Sequence, residues 1–121
     1  MSQVKSYQDL IVWRKSMDLV EAIYQITNRL PNTEQWGLIS QIRRAVISIP
    51  SNIAEGFGRL SPGEYKHFLL ISRGSLMELE TQLILCKRLG YINQIEMDNL
   101  LAKTEEVGKI LITLIQKNRS S

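Results

Sequence analysis

A single histidine, His67, and a single cysteine, Cys86, limit the chemistry this chain can host. Nucleophilic catalysis needs a serine or cysteine beside a histidine that a third group orients. His67 sits in Glu64-Tyr65-Lys66-His67-Phe68, one position from an apolar pair, and reads as a boundary histidine on a helix. Cys86 falls on an apolar helical seam and reads as a small buried hydrophobe. Glu64 and His67 match the Glu-x-x-His pattern of di-iron bundles once, with no second copy. One Cys and one His exclude a four-ligand zinc site. Neither G-x-x-x-x-G-K-S/T nor G-x-G-x-x-G occurs, so no phosphate-cradling loop is present. The expectation is no catalytic residue, no metal, no cofactor and no enzyme.

The basic residues offer a different chemistry. Arg43 and Arg44 are adjacent, as are Arg14 and Lys15, and Lys87 and Arg88. Arg59, Lys66 and Arg73 are seven apart. Seven residues make two helical turns, so these three form one strip if the helical frame extends back to Arg59. Such a strip can follow a phosphate backbone. Arg43, Arg44, Arg59, Lys66 and Arg73 are the first candidates for nucleic-acid contact, and Arg14, Lys15, Lys87 and Arg88 the second. A solvated face neutralised by Glu64, Glu78 and Glu80 is the alternative, and Arg43 and Arg44 can equally be structural. Polar and small residues also interrupt the apolar periodicity: Ser48, Ser51, Asn52 and Glu55, then Gly74, Ser75 and Glu78. Their expected role is structural, with small residues at a close helix approach and polar groups bonding across it.

Four helices must position these groups. No segment alternates with period two, so no strand is expected. The first helix should span about 7–29, opened by a Ser6/Asp9 capping box and ended by Pro31, with Leu10, Trp13, Met17, Val20 and Tyr24 as its apolar face and Leu19, Ile23, Ile26 and Leu30 widening the stripe. The second should span about 33–56, kinked at Pro50 and stopped by Gly56. The third, about 62–89, has Ser61 as N-cap, Pro62 at its first position, a Leu60–Tyr65 staple and the seam Leu69, Ser72, Leu76, Leu79, Leu83, Cys86. The fourth, about 94–117, opens with Asn93 and Glu96. Short joints force neighbours to pack antiparallel, so the expected fold is all-α, an up-down-up-down four-helix bundle forming one domain over 1–121.

The 121 residues carry 15 Lys+Arg against 12 Asp+Glu, a net charge of +3, which is a weak pull toward acidic partners. The start of the chain has no apolar h-region and the longest apolar runs are far short of a membrane span, so a cytoplasmic protein with no membrane contact is expected. Leu101, Ile110, Ile112 and Ile115 on helix 4, with Ile11 and Val12 on helix 1, lie beside the main seams. This surplus points to self-association.

Ser48-Ile49-Pro50-Ser51-Asn52-Ile53-Ala54-Glu55-Gly56, preceded by Gln41-Ile42-Arg43-Arg44-Ala45, resembles the signature of a bacterial four-helix-bundle family whose founding members are encoded in intervening sequences of large-subunit ribosomal RNA genes. Asp9-Leu10-Ile11-Val12-Trp13, Leu30-Pro31 and Gly74-Ser75-Leu76-Met77-Glu78-Leu79 match further. Trp36 stands where the family has tyrosine or phenylalanine. The resemblance implies a homopentameric barrel without known catalysis, with Ser48, Pro50, Asn52, Glu55, Gly56, Gly74, Ser75 and Glu78 as signature residues. A related branch, the accessory protein of diversity-generating retroelements, binds nucleic acid and partners a reverse transcriptase. The expected function is a self-assembling, weakly sequence-specific RNA- or DNA-binding adaptor. The alternative is a protein-interaction scaffold that binds no nucleic acid.

Overall fold

The computed structural model describes residues 4–118. Four helices account for most of them: α1 (Ile11–Thr27), α2 (Leu38–Gly58), α3 (Pro62–Arg88) and α4 (Gln94–Lys117). Among the described residues there is no strand. Each helix packs on its neighbour in the chain, and α4 packs back on α1.

The ends follow from local hydrogen bonding. The Ser61 side chain accepts from the Glu64 N–H at 3.3 Å, with Pro62 at the first helical position. Asn93 and Glu96 close a reciprocal capping box on α4. Gly90, at φ 80°, ends α3, and the Tyr91 N–H donates to the Cys86 carbonyl at 2.9 Å.

Several boundaries differ from expectation. Ser6 and Asp9 do form a capping box, but it closes only a 3-10 turn, Tyr7–Asp9. Leu10 then takes extended backbone, so α1 starts at Ile11. Residues 32–34 form a second 3-10 turn, and α2 starts at Leu38 rather than near residue 33. The helix then runs unbroken through Pro50 to Gly58. Pro50 is buried and removes one N–H, while the adjacent Ile49 carbonyl accepts from the Ser72 hydroxyl of α3 at 2.9 Å. Gly56 is therefore not a stop. It is buried inside α2, where a Cβ would meet the Phe68 Cβ at 2.7 Å.

The chain reverses at Leu60, whose φ of 64° is left-handed. That geometry leaves the Leu60 side chain 91 % exposed, so it forms no staple with Tyr65.

The buried face of α1 is Val12, Ser16, Leu19, Ile23 and Thr27: Leu19 and Ile23 belong to the expected stripe, and Val12, Ser16 and Thr27 join them. Ser16 and Thr27 are tolerated there because each hydroxyl donates to the carbonyl four residues back, at 2.6 and 2.8 Å. Met17 is exposed instead, and Leu10, Trp13, Val20 and Tyr24 pack half-buried around the core. The core itself joins Leu19 and Ile23 to Ile42, Ile49, Leu76 and Leu111. Each such side chain contributes about 1.5–3 kcal/mol by leaving water.

Contacts between helices fix which residues face one another. Ser48 bonds Ser75 at 2.8 Å and Thr104 donates to Glu80 at 2.6 Å. Arg43 reaches Thr27 and Asn28, while Lys15 pairs with Glu106 and Arg29 with Glu96.

Candidate nucleic-acid interface

The basic candidates divide by their neighbours. Arg43 is half-buried and turned to α1. Its Nε donates to Thr27 Oγ1 at 2.9 Å, its Nη2 to Asn28 Oδ1 at 2.8 Å, and its guanidinium lies 4.4 Å from the Tyr24 ring centroid. It does not meet Glu78 or Glu80. Arg14 donates to the Gln8 carbonyl at 2.8 Å and stands 3.7 Å from Asp9. Two backbone N–H groups, of Lys5 and Ser6, hold the Asp9 carboxyl below its usual range. Lys15 is taken by Glu106, whose carboxyl it lowers.

Arg59 pairs with Glu55 one turn back, at 3.0 Å, and covers the Phe68 ring at 5.1 Å. Glu55 is thereby occupied along its own helix, rather than bonding across to α3. The condition set for the strip of Arg59, Lys66 and Arg73, a helical frame that extends back to Arg59, is not met. Arg59 caps α2, and the left-handed turn at Leu60 separates its helical frame from that of α3.

Five candidates remain with no carboxylate within 4.0 Å among the described residues: Arg44, Lys66, Arg73, Lys87 and Arg88. Arg44 lines a cleft of about 680 Å³ between α2 and α3, with Gln41, Ser48, Ser75, Glu78 and Gln82. Asn52 donates to the carbonyl and hydroxyl of Ser48, at 2.8 and 2.9 Å, and Ser48 reaches Ser75 across the cleft. The signature serines and asparagine thus form one relay joining two helices. Gln82 is 7 % exposed; its Nε2 donates to Glu78 and its Oε1 has no partner. Gly74 departs from its expected role, since nothing lies within 4 Å of where its Cβ would stand. Close approach is supplied by Gly56, and by Gly108, where a Cβ would stand 3.2 Å from Leu76 Cδ2.

Catalytic groups do not assemble. His67 is exposed and edge-stacked on Phe68, with centroids 5.4 Å apart. Cys86 is buried, which pushes its thiol up to about 11, with the Glu34 charge adding to the effect. No group of three metal-ligating side chains forms among the described residues, and no helix there is long and apolar enough to cross a membrane.

The expected apolar surplus on helices 1 and 4 is mostly consumed. Val12 is buried, and Leu101, Ile110 and Ile115 pack against the core, which leaves Ile11 and Ile112 exposed. The surplus lies on α3 instead, at Leu70, Ile71, Met77, Ile84 and Leu85. The seven-residue steps Leu70, Met77, Ile84 are its sequence signal.

The family model described as 23S rRNA-intervening sequence protein matches residues 8–113. Among solved structures, the chain is similar to a protein of unknown function from the S23 ribosomal protein family of Bacteroides thetaiotaomicron VPI-5482. The two are 27% identical with a TM-score of 0.81, over 87% of this chain and 98% of that one. No curated protein matches the chain. With four helices in place and most of its length matched, the chain belongs to the 23S rRNA-intervening sequence protein family.

Proposed function

We propose that this protein is a non-enzymatic, cytoplasmic adaptor that binds RNA or DNA through phosphate contacts. In this reading residues 1–121 form one domain, its helices run up-down-up-down, and five copies close into a barrel. The pairings 48 with 75 and 80 with 104, and 15 with 106 and 29 with 96, support the alternation of direction. The observation that carries the binding function is the set Arg44, Lys87 and Arg88, all exposed and, among the described residues, without a carboxylate within 4.0 Å. Arg44 lies in the first turns of α2 and Lys87 and Arg88 end α3. The bond from Tyr91, after α3, to Glu34, before α2, supports placing them at one end of the bundle. A ring repeats that end once per copy, and repetition multiplies a weak charge.

Three phosphate contacts predict about a 40-fold loss of affinity between 50 and 200 mM salt. Anisotropy titrations of a structured RNA and a duplex DNA test this. Replacing Arg44, Lys87 and Arg88 by alanine should flatten the salt slope by about one unit per contact removed. An unchanged slope refutes the assignment. The second reading is a scaffold for protein partners, such as a polymerase or reverse transcriptase. The exposed aliphatics of α3 favour it, and absence of binding at 50 mM salt selects it.

A further inference from the structure

Leu70, Gly74, Met77, Thr81 and Ile84 follow one another along α3 at spacings of four and three. At 100° per residue they centre roughly opposite the buried seam of Leu69, Leu76, Leu79 and Leu83. Leu70, Met77 and Ile84 are 48 %, 39 % and 40 % exposed, and the site above Gly74 is open. Large aliphatics in this rhythm on an outer face are the pattern of a helix that packs on both sides. The occupant of the row is therefore a helical surface.

A surface that fits lies on the same chain. A cleft of about 360 Å³ between α1 and α2 is lined by Trp13, Met17, Val20, Ile47, Pro50 and Ala54. Ile47 is 42 % exposed, and small Ser51 and Ala54 follow it four and seven positions on, leaving room for a helix to settle. The charges beside the two faces are complementary. Among the described residues, Lys66 and Arg73 border the α3 row and have no carboxylate within 4.0 Å. Asp18 and Glu21 lie exposed on α1 around Met17 and have no cation of the described residues within 4.0 Å. Glu78, on the other border of the row, accepts from Gln82.

We propose that the outer row of α3 on one copy docks head to tail into the α1–α2 cleft of the next copy, with Lys66 and Arg73 facing Asp18 and Glu21. The proposal rests on the self-assembly part of the function proposed above and adds the two faces. Two different faces in contact generate a ring when the rotation closes. Lys66 and Arg73 then serve assembly, while Arg44 and Lys87 lie outside the row.

Light scattering on wild type, Met77→Glu and Ile47→Glu tests it, with circular dichroism confirming each fold. Each variant buries an unpaired charge in the contact and should weaken association at least ~100-fold. Because each keeps one intact face, their equimolar mixture should give a species of twice the monomer mass. Where a glutamate variant fails to fold, surface reversals decide. Glu21→Lys and Arg73→Glu should each weaken assembly several-fold, and both in one chain should restore it. An assembled wild type with folded variants of unchanged mass overturns the faces while sparing assembly. Variants that are monomeric alone and also in mixture overturn the head-to-tail pairing. A monomeric wild type overturns both the inference and the assembly reading, and leaves the row to another partner.

Discussion

Two glycines inside helices should respond to alanine with opposite signs. In a helix interior alanine is favoured over glycine by about 1 kcal/mol. For Gly74→Ala nothing lies within 4 Å of the new methyl, so a gain of about 0.5–1 kcal/mol should survive intact. For Gly56→Ala the methyl would stand 2.7 Å from Phe68 Cβ and 3.3 Å from the Tyr65 carbonyl oxygen. Carbon contacts are favourable near 3.5–4.0 Å, so α2 and α3 must separate by about 1 Å there. Neither obstacle is the far end of a flexible side chain. The shift also strains the Ser48–Ser75 and Ser72–Ile49 bonds on the same helix pair. Overpacking costs about 1–3 kcal/mol against the propensity gain of about 1 kcal/mol, which leaves a net loss of up to about 2 kcal/mol. With a urea slope of about 2 kcal/mol/M, the midpoint should fall by up to roughly 1 M for Gly56→Ala and rise by roughly 0.25–0.5 M for Gly74→Ala. The assay is urea unfolding followed by circular dichroism, at one protein concentration low enough to keep copies apart. A Gly56→Ala midpoint at or above wild type refutes the close approach as the reason for glycine at that position. At assembling concentrations the Gly74→Ala gain should shrink or reverse, because a partner helix then lies over residue 74.

Arg43→Ala should lower stability by about 1–2 kcal/mol, through the lost stack on Tyr24 and bonds to Thr27 and Asn28, and leave the salt slope of nucleic-acid binding unchanged. A flattened slope in that variant would make Arg43 a phosphate contact. Cys86, its thiol pushed up to about 11, should resist maleimide at neutral pH and react at the rate of unfolding; fast labelling of the folded protein contradicts its burial. Arg29 and the Asn93 backbone hold the Glu96 carboxyl below its usual range, as Lys15 does Glu106. A carboxyl lowered by folding stabilises above its unfolded value, so stability should be full above about pH 4.3 and decline as pH falls below it. Thermal midpoints against pH check the sign, and Glu96→Gln, which keeps a side-chain acceptor for the cap, should decline less than wild type.

What was legible in the sequence was the chemistry of ends. Ser61-Pro62, Asn93 with Glu96, and Gly90 act within one turn, so their residue types suffice to place the starts of α3 and α4 and the end of α3. Faces were less legible. Ser16 and Thr27 look like surface residues until their hydroxyls are seen satisfied by carbonyls on their own helix, so the core of α1 centres on Leu19 and Ile23, the widening edge of the expected stripe, and not on Met17. The α3 row stayed hidden because one regular seam already accounted for that helix as amphipathic, and a second seam of the same period adds no new periodicity. The basic site was least legible, because a cation's availability is a tertiary property. The strip through Arg59 depended on one backbone angle at Leu60, which its residue type does not announce. Arg43 and Arg44 are identical neighbours, but one residue turns a helix by 100°. That rotation sends Arg43 onto Tyr24 and Thr27 and leaves Arg44 at the rim of the α2–α3 cleft. Adjacent arginines in a helix are thus poor evidence of a shared site. The site proposed above instead takes Arg44 with Lys87 and Arg88, more than forty residues away in the chain.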